Sequence, residues 1–120
     1  MFHVILYQPE IPPNTGNIIR LCANTGNTLH LIHPLGFAWE DKKLKRAGLD
    51  YHDLATVHHH ESLEGCLSKL CDSRVFALSS KANTPYHAVT YKREDAFLFG
   101  PETSGLPKSI LESFAQNQKL

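Results

Sequence analysis

The chain has 120 residues, 42% hydrophobic and 20% charged, and its twelve basic and twelve acidic side chains cancel to zero formal charge. These figures predict one soluble domain, 1–120, built around a single core. They exclude a global attraction to nucleic acid, so an RNA partner would need a local basic patch or one assembled across two subunits.

Residues 2–7 form an almost unbroken apolar run, the pattern of a parallel strand covered on both faces. Pro9, Pro12 and Pro13 then enforce an irregular loop. Asn14 is placed to cap the helix that follows, whose apolar positions Ile18, Ile19, Cys22 and Ala23 recur at helical spacing, with Gly26 to end it. Thr28 to Ile32 reads as a second strand, followed by a Pro34/Gly36 loop carrying Phe37 and Trp39. Residues 40–47 predict a short helix, acids first and the basic run Lys42-Lys43-Leu44-Lys45-Arg46 after them. Ala55 to His58 is a weak strand, and Glu61 to Cys71 is the clearest helix, with Leu63, Cys66, Leu67, Leu70 and Cys71 on one face. Arg74 to Ser79 is another strand, Lys81 to Asp95 mostly loop, and Ala96 to Phe99 a last short strand before a helical pattern at Ile110, Leu111 and Phe114. Strands alternating with helices predict an α/β fold, a mostly parallel sheet with helices on both faces. The final helix needs a partner surface, which the polar Gln116-Asn117-Gln118-Lys119 does not supply.

No run approaches the length of a membrane helix and no secretory signal precedes the first strand, so a cytoplasmic protein without membrane contact is expected. Cys22, Cys66 and Cys71 are odd in number and lack a Cys-x-x-Cys, which predicts reduced, buried thiols. Of the eight histidines, His58-His59-His60 would alternate across an extended chain. No His/Cys set has zinc-site spacing, and no metal is expected.

Gly100-Pro101-Glu102-Thr103-Ser104-Gly105-Leu106-Pro107 stands between the last strand and the last helix, with Pro107 suited to the first helical position. Two glycines and two prolines fix the backbone path and allow close approach to a ligand at the carboxyl end of a strand, where open α/β sheets bind theirs. A plain structural turn has the same composition. A Walker phosphate loop is excluded, because Gly-Lys-Ser/Thr is absent.

Together with Asn14-Thr15-Gly16-Asn17-Ile18-Ile19-Arg20, this loop resembles the first two motifs of the SPOUT methyltransferases, knotted α/β enzymes that methylate RNA from S-adenosylmethionine. Phe2-His3-Val4-Ile5-Leu6-Tyr7-Gln8-Pro9-Glu10-Ile11-Pro12 and Ala47-Gly48-Leu49-Asp50-Tyr51-His52 are similar to the small TrmL-like branch that methylates the 2′-oxygen of cytidine or uridine 34 in tRNA. The resemblance implies a homodimeric α/β knot, with each active site near the subunit interface, acting on the anticodon loop of tRNA. It also implies a third motif after the second. The sequence ends at Leu120 before any such segment, so either a fragment or a shortened member with an incomplete knot is expected.

The resemblance makes Arg20 the central catalytic residue, acting at the ribose 2′-hydroxyl and its phosphate; without the motif it would be an ordinary surface or ion-paired arginine. A charged guanidinium, pKa above about 12, is a poor base, so either a phosphate helps remove its proton or it orients the hydroxyl for another acceptor. Asn14 has two readings, helix cap and substrate contact. Glu102 has two as well, a cap for the helix behind the motif or an ion pair that holds Arg20. For the cofactor, adenosine is expected against backbone groups of the two strand-end loops, Leu78 and Ser79 (with Ser80) on one and Gly100, Pro101, Glu102 and Gly105 on the other. Lys81, Lys43 and Arg46 are candidate RNA contacts, although the basic run also fits a solvated helix face. Phe37, Trp39 or the first helix could offer an apolar dimer patch. The alternative function is a non-catalytic RNA-binding or dimerisation module that keeps the fold with an incomplete cofactor pocket.

Overall fold

The computed structural model describes residues 1–79 and 89–120. Five strands, β1 (His3–Tyr7), β2 (Thr28–Ile32), β3 (Val57–His60), β4 (Val75–Ala77) and β5 (Ala96–Phe99), form one sheet in the order β3-β2-β1-β5-β4, and every pairing is parallel. Among the described residues five α-helices accompany them: α1 (Pro12–Thr25), α2 (Asp41–Arg46), α3 (Tyr51–Leu54), α4 (Leu63–Lys69) and α5 (Lys108–Glu112).

Alternation along β1 sorts the core into two layers. Ile5 faces α4 and α5 and is packed with Ile32, Cys66, Leu98 and Leu106. Leu6 faces the other way, with Ile19, Cys22, Leu29, Leu31 and Leu49. Each fully buried Leu or Ile contributes about 1.5–3 kcal/mol, so both faces of the central strand must be covered, as its apolar run predicts. α1 ends at Gly26, φ 74°, as expected.

Several boundaries differ from the sequence reading. Helix α3 is unforeseen. Asp53 N–H donates to Asp50 Oδ1 (2.9 Å) and Asp50 N–H to Asp53 Oδ2 (3.0 Å), a reciprocal cap that starts a helix where no apolar period exists. It pushes β3 two residues later than Ala55–His58. Ser62 caps α4 by accepting from Gly65 N–H (3.0 Å), and the helix ends at Lys69. Cys71 therefore lies past the helix and is exposed, against the expectation of three buried thiols; Cys22 and Cys66 are buried.

Helix α5 has the partner it needs, since Ile110, Leu111 and Phe114 pack on the α4 side of the core. Nor is the tail a polar overhang: Leu120 N–H donates to Ala77 O (2.8 Å) and Ser79 N–H to Leu120 O (2.9 Å), placing it parallel along the free edge of β4. Beneath the strand starts, Arg74 forks onto the buried Asp95 through Nε (3.0 Å) and Nη2 (2.6 Å), and Lys92 N–H adds a third bond (2.7 Å). Burial pushes the Asp95 carboxyl up, but these bonds and the Arg74 charge together bring it below its ordinary value.

The histidines alternate as the extended pattern predicts. His59 meets His33 (2.8 Å) and Trp39 on the α1 side, while His58 and His60 lie with His30 on the α4 side. Burial, with the neighbouring His3 and His60 rings, lowers His30 to about 3, so it is neutral near pH 7. Among the described residues no helix is long and apolar enough to cross a membrane.

Candidate active site

After β1 the chain moves to the β2–β3 side of the sheet, and β5, reached from the β4 edge, returns to lie against β1. The order reverses between these two strands, and the crevice beyond their carboxyl ends is where an open α/β sheet binds ligand. The loops that meet there carry both sequence motifs.

Local chemistry requires that they meet. Ile11 is the N-cap of α1 and has no side-chain acceptor; Pro12 and Pro13 carry no N–H. The donors left at the turn are the N–H groups of Glu10 and Ile11, and Glu102 supplies their acceptor. Its carboxylate accepts from Glu10 N–H (3.1 and 3.2 Å) and from Ile11 N–H. Glu10 answers in kind, accepting from Thr103 N–H (3.1 Å) and Thr103 Oγ1–H (2.7 Å), and these bonds hold its carboxyl below the usual value. The two loops are thus clasped by crossed glutamates.

The second loop is closed on itself. Gly105 N–H donates to Pro101 O (2.8 Å), Gly105 sits at φ 69°, and Leu106 anchors the turn in the core. A Cβ on Gly100 would lie 2.2 Å from Leu106 N and 2.4 Å from Gly105 C, both backbone atoms, so only glycine fits. Gln8, opposite, has φ 47°, a left-handed conformation rare for a side-chain-bearing residue. Between Tyr7, Gln8 and the turn lies a cavity of about 600 Å³ that Pro101, Gly105 and Leu106 line.

A second cavity, about 370 Å³, brings together Asn14, Gly100 and Glu102 with Thr15, Asn17 and Phe99. Asn14 does not cap α1: it is exposed in the first turn, and Ile11 holds the cap position. Glu102 takes neither role proposed from sequence. The cap position of α5 is Pro107, with no side-chain bond, and Glu102 faces Glu10 and Ile11 instead of Arg20.

Arg20 lies six residues past Asn14, about 9 Å along the helix axis. Its Nη2 donates to Ala47 O (2.9 Å), and Gly48, at φ 86°, leaves just enough room beside it, since a Cβ there would stand 3.1 Å from Nη2. Arg20 lines a third cavity, about 350 Å³, with Phe37, Trp39 and Lys43. Thr15 and Asn17 border this cavity and the one holding Glu102, and so connect the arginine to the crevice. Phe37 and Trp39 are half-buried here, not an exposed patch; the apolar side chain that α1 exposes is Leu21, at 60%.

The remaining candidates are more scattered. Leu78 N–H donates to Leu98 O (2.9 Å), extending β4, while the Ser79 N–H is taken by Leu120. Lys43 sits 3.7 Å from Glu40 at the edge of the arginine cavity, and Arg46 is exposed on α2 outside it. Lys81 and Ser80 lie outside the described residues.

Sequence reasoning missed Glu10, Thr103, Gln8 and Thr15. The Pro12-Pro13 pair was the available signal for Glu10, because two prolines strip a helix start of donors and leave those before it to be answered from elsewhere. Thr15 is buried, and its Oγ1 has no hydrogen-bond partner among the described residues. Nothing in its sequence setting marks that.

A parallel sheet with clasped glycine-loop motifs at its reversal point, and an arginine helix alongside, defines a SPOUT-type α/β methyltransferase fold. The chain matches the SpoU rRNA Methylase family over residues 1–120 and belongs to that family. It is 54% identical over 120 residues to the tRNA (cytidine(34)-2′-O)-methyltransferase of Methylovorus glucosotrophus, covering 100% of this chain and 78% of that one. A structure solved for the 2-OH methylation of C/U34 on tRNA superimposes with TM-score 0.86 at 45% identity, covering 95% of this chain and 76% of the other. The fold is shared more distantly with the SpoU methyltransferase AviRb of Streptomyces viridochromogenes in complex with AdoMet (TM-score 0.77, 16% identity, 98% of this chain and 46% of that one).

Proposed function

We propose that this protein methylates the 2′-oxygen of the wobble nucleotide, cytidine or uridine 34, of tRNA, using S-adenosylmethionine. The observation that carries the reading is the Glu10–Glu102 clasp, which seats the arginine-bearing helix and the glycine turn at one crevice between β1 and β5. The substrate follows from the relatives' activity.

The crevice fits the cofactor. A turn whose Gly100 admits no Cβ lets backbone approach a ligand closely, and a cavity of about 600 Å³ falls within the 300–1,000 Å³ common for such sites. Pro101, Gly105 and Leu106 would hold it from the turn, with Tyr7 opposite. When bound, the sulfonium supplies a methyl group already activated for displacement, so the protein's task is alignment. Arg20, fixed by Ala47 O and Gly48, presents its remaining donors to a ribose hydroxyl and phosphate. Asn14 reaches the same groups from the cavity beside Glu102. Lys43 and Arg46 add local positive charge for the anticodon loop, which the neutral chain needs. Two copies joined through the exposed face of α1, with Ile11 and Leu21, would place each crevice near the subunit interface.

The test is mass spectrometry of tRNA nucleosides after incubation with the methyl donor. Wild type should yield 2′-O-methylated cytidine or uridine at position 34, and Arg20→Ala should not. tRNA binding with neither donor binding by calorimetry nor methylation would favour the binding-module reading.

A further inference from the structure

Away from the crevice, the densest chemistry in the molecule lies under α4. His30 on β2, His60 at the end of β3 and Cys66 on α4 are all buried, and one ligand atom from each lies within 4.8 Å of the other two. Three separate elements supply them, which is why no local spacing announces the group. His30 Nδ1 stands 2.9 Å from His60 Nε2. A tetrahedral ion with metal–nitrogen bonds of about 2.0–2.1 Å places two such nitrogens roughly 3.3 Å apart, and a thiolate roughly 3.6 Å from each. Small side-chain rotations cover the difference.

The protons behind His30 aim it correctly. His30 Nε2 faces His3 Nδ1 at 3.0 Å, and His3 Nε2 faces Glu94 Oε2 at 2.7 Å. A carboxylate only accepts, so His3 Nε2 carries the proton; in the neutral ring Nδ1 is then bare and accepts from His30 Nε2–H. Fixed from its solvent end, the chain leaves the lone pair of His30 Nδ1 directed at His60 and Cys66. A ligating histidine whose far nitrogen donates toward a carboxylate, here through one intervening ring, is the recurrent outer arrangement of metal sites. Two imidazoles and a thiolate suit a borderline-soft ion and not calcium or magnesium, which prefer oxygen.

We propose that His30 Nδ1, His60 Nε2 and the Cys66 thiolate bind one zinc ion, with His3 and Glu94 as the outer chain that orients His30. Binding releases the Cys66 thiol proton and moves the His60 proton from Nε2 to Nδ1. The exposed His58 ring stacks 5.4 Å from His30, at the solvent side of the cluster. Lys69 opposes the ion's charge from an exposed position on α4. The ion would tie β2, β3 and α4 together, on the β3 side of β1 in the strand order β3-β2-β1-β5-β4.

The test uses the whole chain carrying Cys71→Ser, which removes the exposed thiol, after chelator treatment and dialysis. Titration with Co²⁺ should give one equivalent of tetrahedral visible bands with a thiolate-to-cobalt charge-transfer band. Zn²⁺ should then displace it and raise the melting temperature. Cys66→Ser should abolish the charge-transfer band. Glu94→Gln, an exposed change that leaves the core intact, should keep the band and weaken Zn²⁺ binding about 10–100-fold. A folded chain with no charge-transfer band, a band that survives Cys66→Ser, or equal Zn²⁺ affinity in wild type and Glu94→Gln would each overturn the proposal.

Discussion

Replacing Glu102 by Ala removes the acceptor for the N–H groups of Glu10 and Ile11, which act together as the cap of α1 supplied from 91 residues away. Loss of an N-cap acceptor costs about 0.5–2 kcal/mol. The charge of Glu102 would raise that, but its exposure lets water reach the freed donors and screens the effect, so about 1–2 kcal/mol is expected. For a domain of this size that corresponds to a fall in melting temperature of about 3–10 °C. Glu102→Gln keeps one acceptor oxygen and should fall between. Urea unfolding followed by circular dichroism measures the change, and double-mutant cycles locate it. Glu102→Ala and Glu10→Ala share the clasp and should couple by more than about 0.5 kcal/mol, whereas Glu102→Ala and Arg20→Ala should add within that margin. Strong coupling of Glu102 to Arg20, or an unchanged midpoint in Glu102→Ala, would refute the clasp.

Gly100→Ala forces a Cβ to within 2.2 Å of the Leu106 nitrogen, so the turn must open; a loss of about 3 kcal/mol or more is expected, with loss of methyl-donor binding by calorimetry. Gly48→Ala meets both a φ of 86° and a contact 3.1 Å from Arg20 Nη2. The methylation rate should drop at least about tenfold, with the donor Kd little changed, since only the arginine shifts. Asp95→Asn breaks a buried fork whose arginine is 38% exposed, and about 2–3 kcal/mol of stability at pH 7 should be lost. Because Asp95 titrates lower folded than unfolded, its contribution is complete above the unfolded value near 4 and disappears as pH falls through the folded one. The variant should therefore lose less stability than wild type on acidification below pH 4, measured by urea midpoints across pH.

What the sequence shows of this fold is what depends on neighbours along the chain. The apolar run of β1, the helix stop at Gly26 and the limits of β2 and β5 are each decided within a few residues, and each stands where it was expected. The start of α1 is not decided that way. Asn14 has the right chemistry for a cap, yet Pro12 and Pro13 fit the first helical turn so well that the helix begins three residues earlier, and its cap has to come from Glu102, far along the chain. The same distinction governs the candidate site. Gly100 and Gly105 were legible because a tight turn restricts residue type locally. The roles of Glu102 and Arg20 depend on which groups the fold sets beside them, and those groups, Ile11 N–H and Ala47 O, are backbone atoms that every residue carries and no motif can mark. The metal-type cluster follows the same logic, since His30, His60 and Cys66 come together only through the β2–β3 register and the seat of α4. Residue type at short range therefore exposes the scaffold of this site, and parallel pairing at long range decides which polar groups work on it.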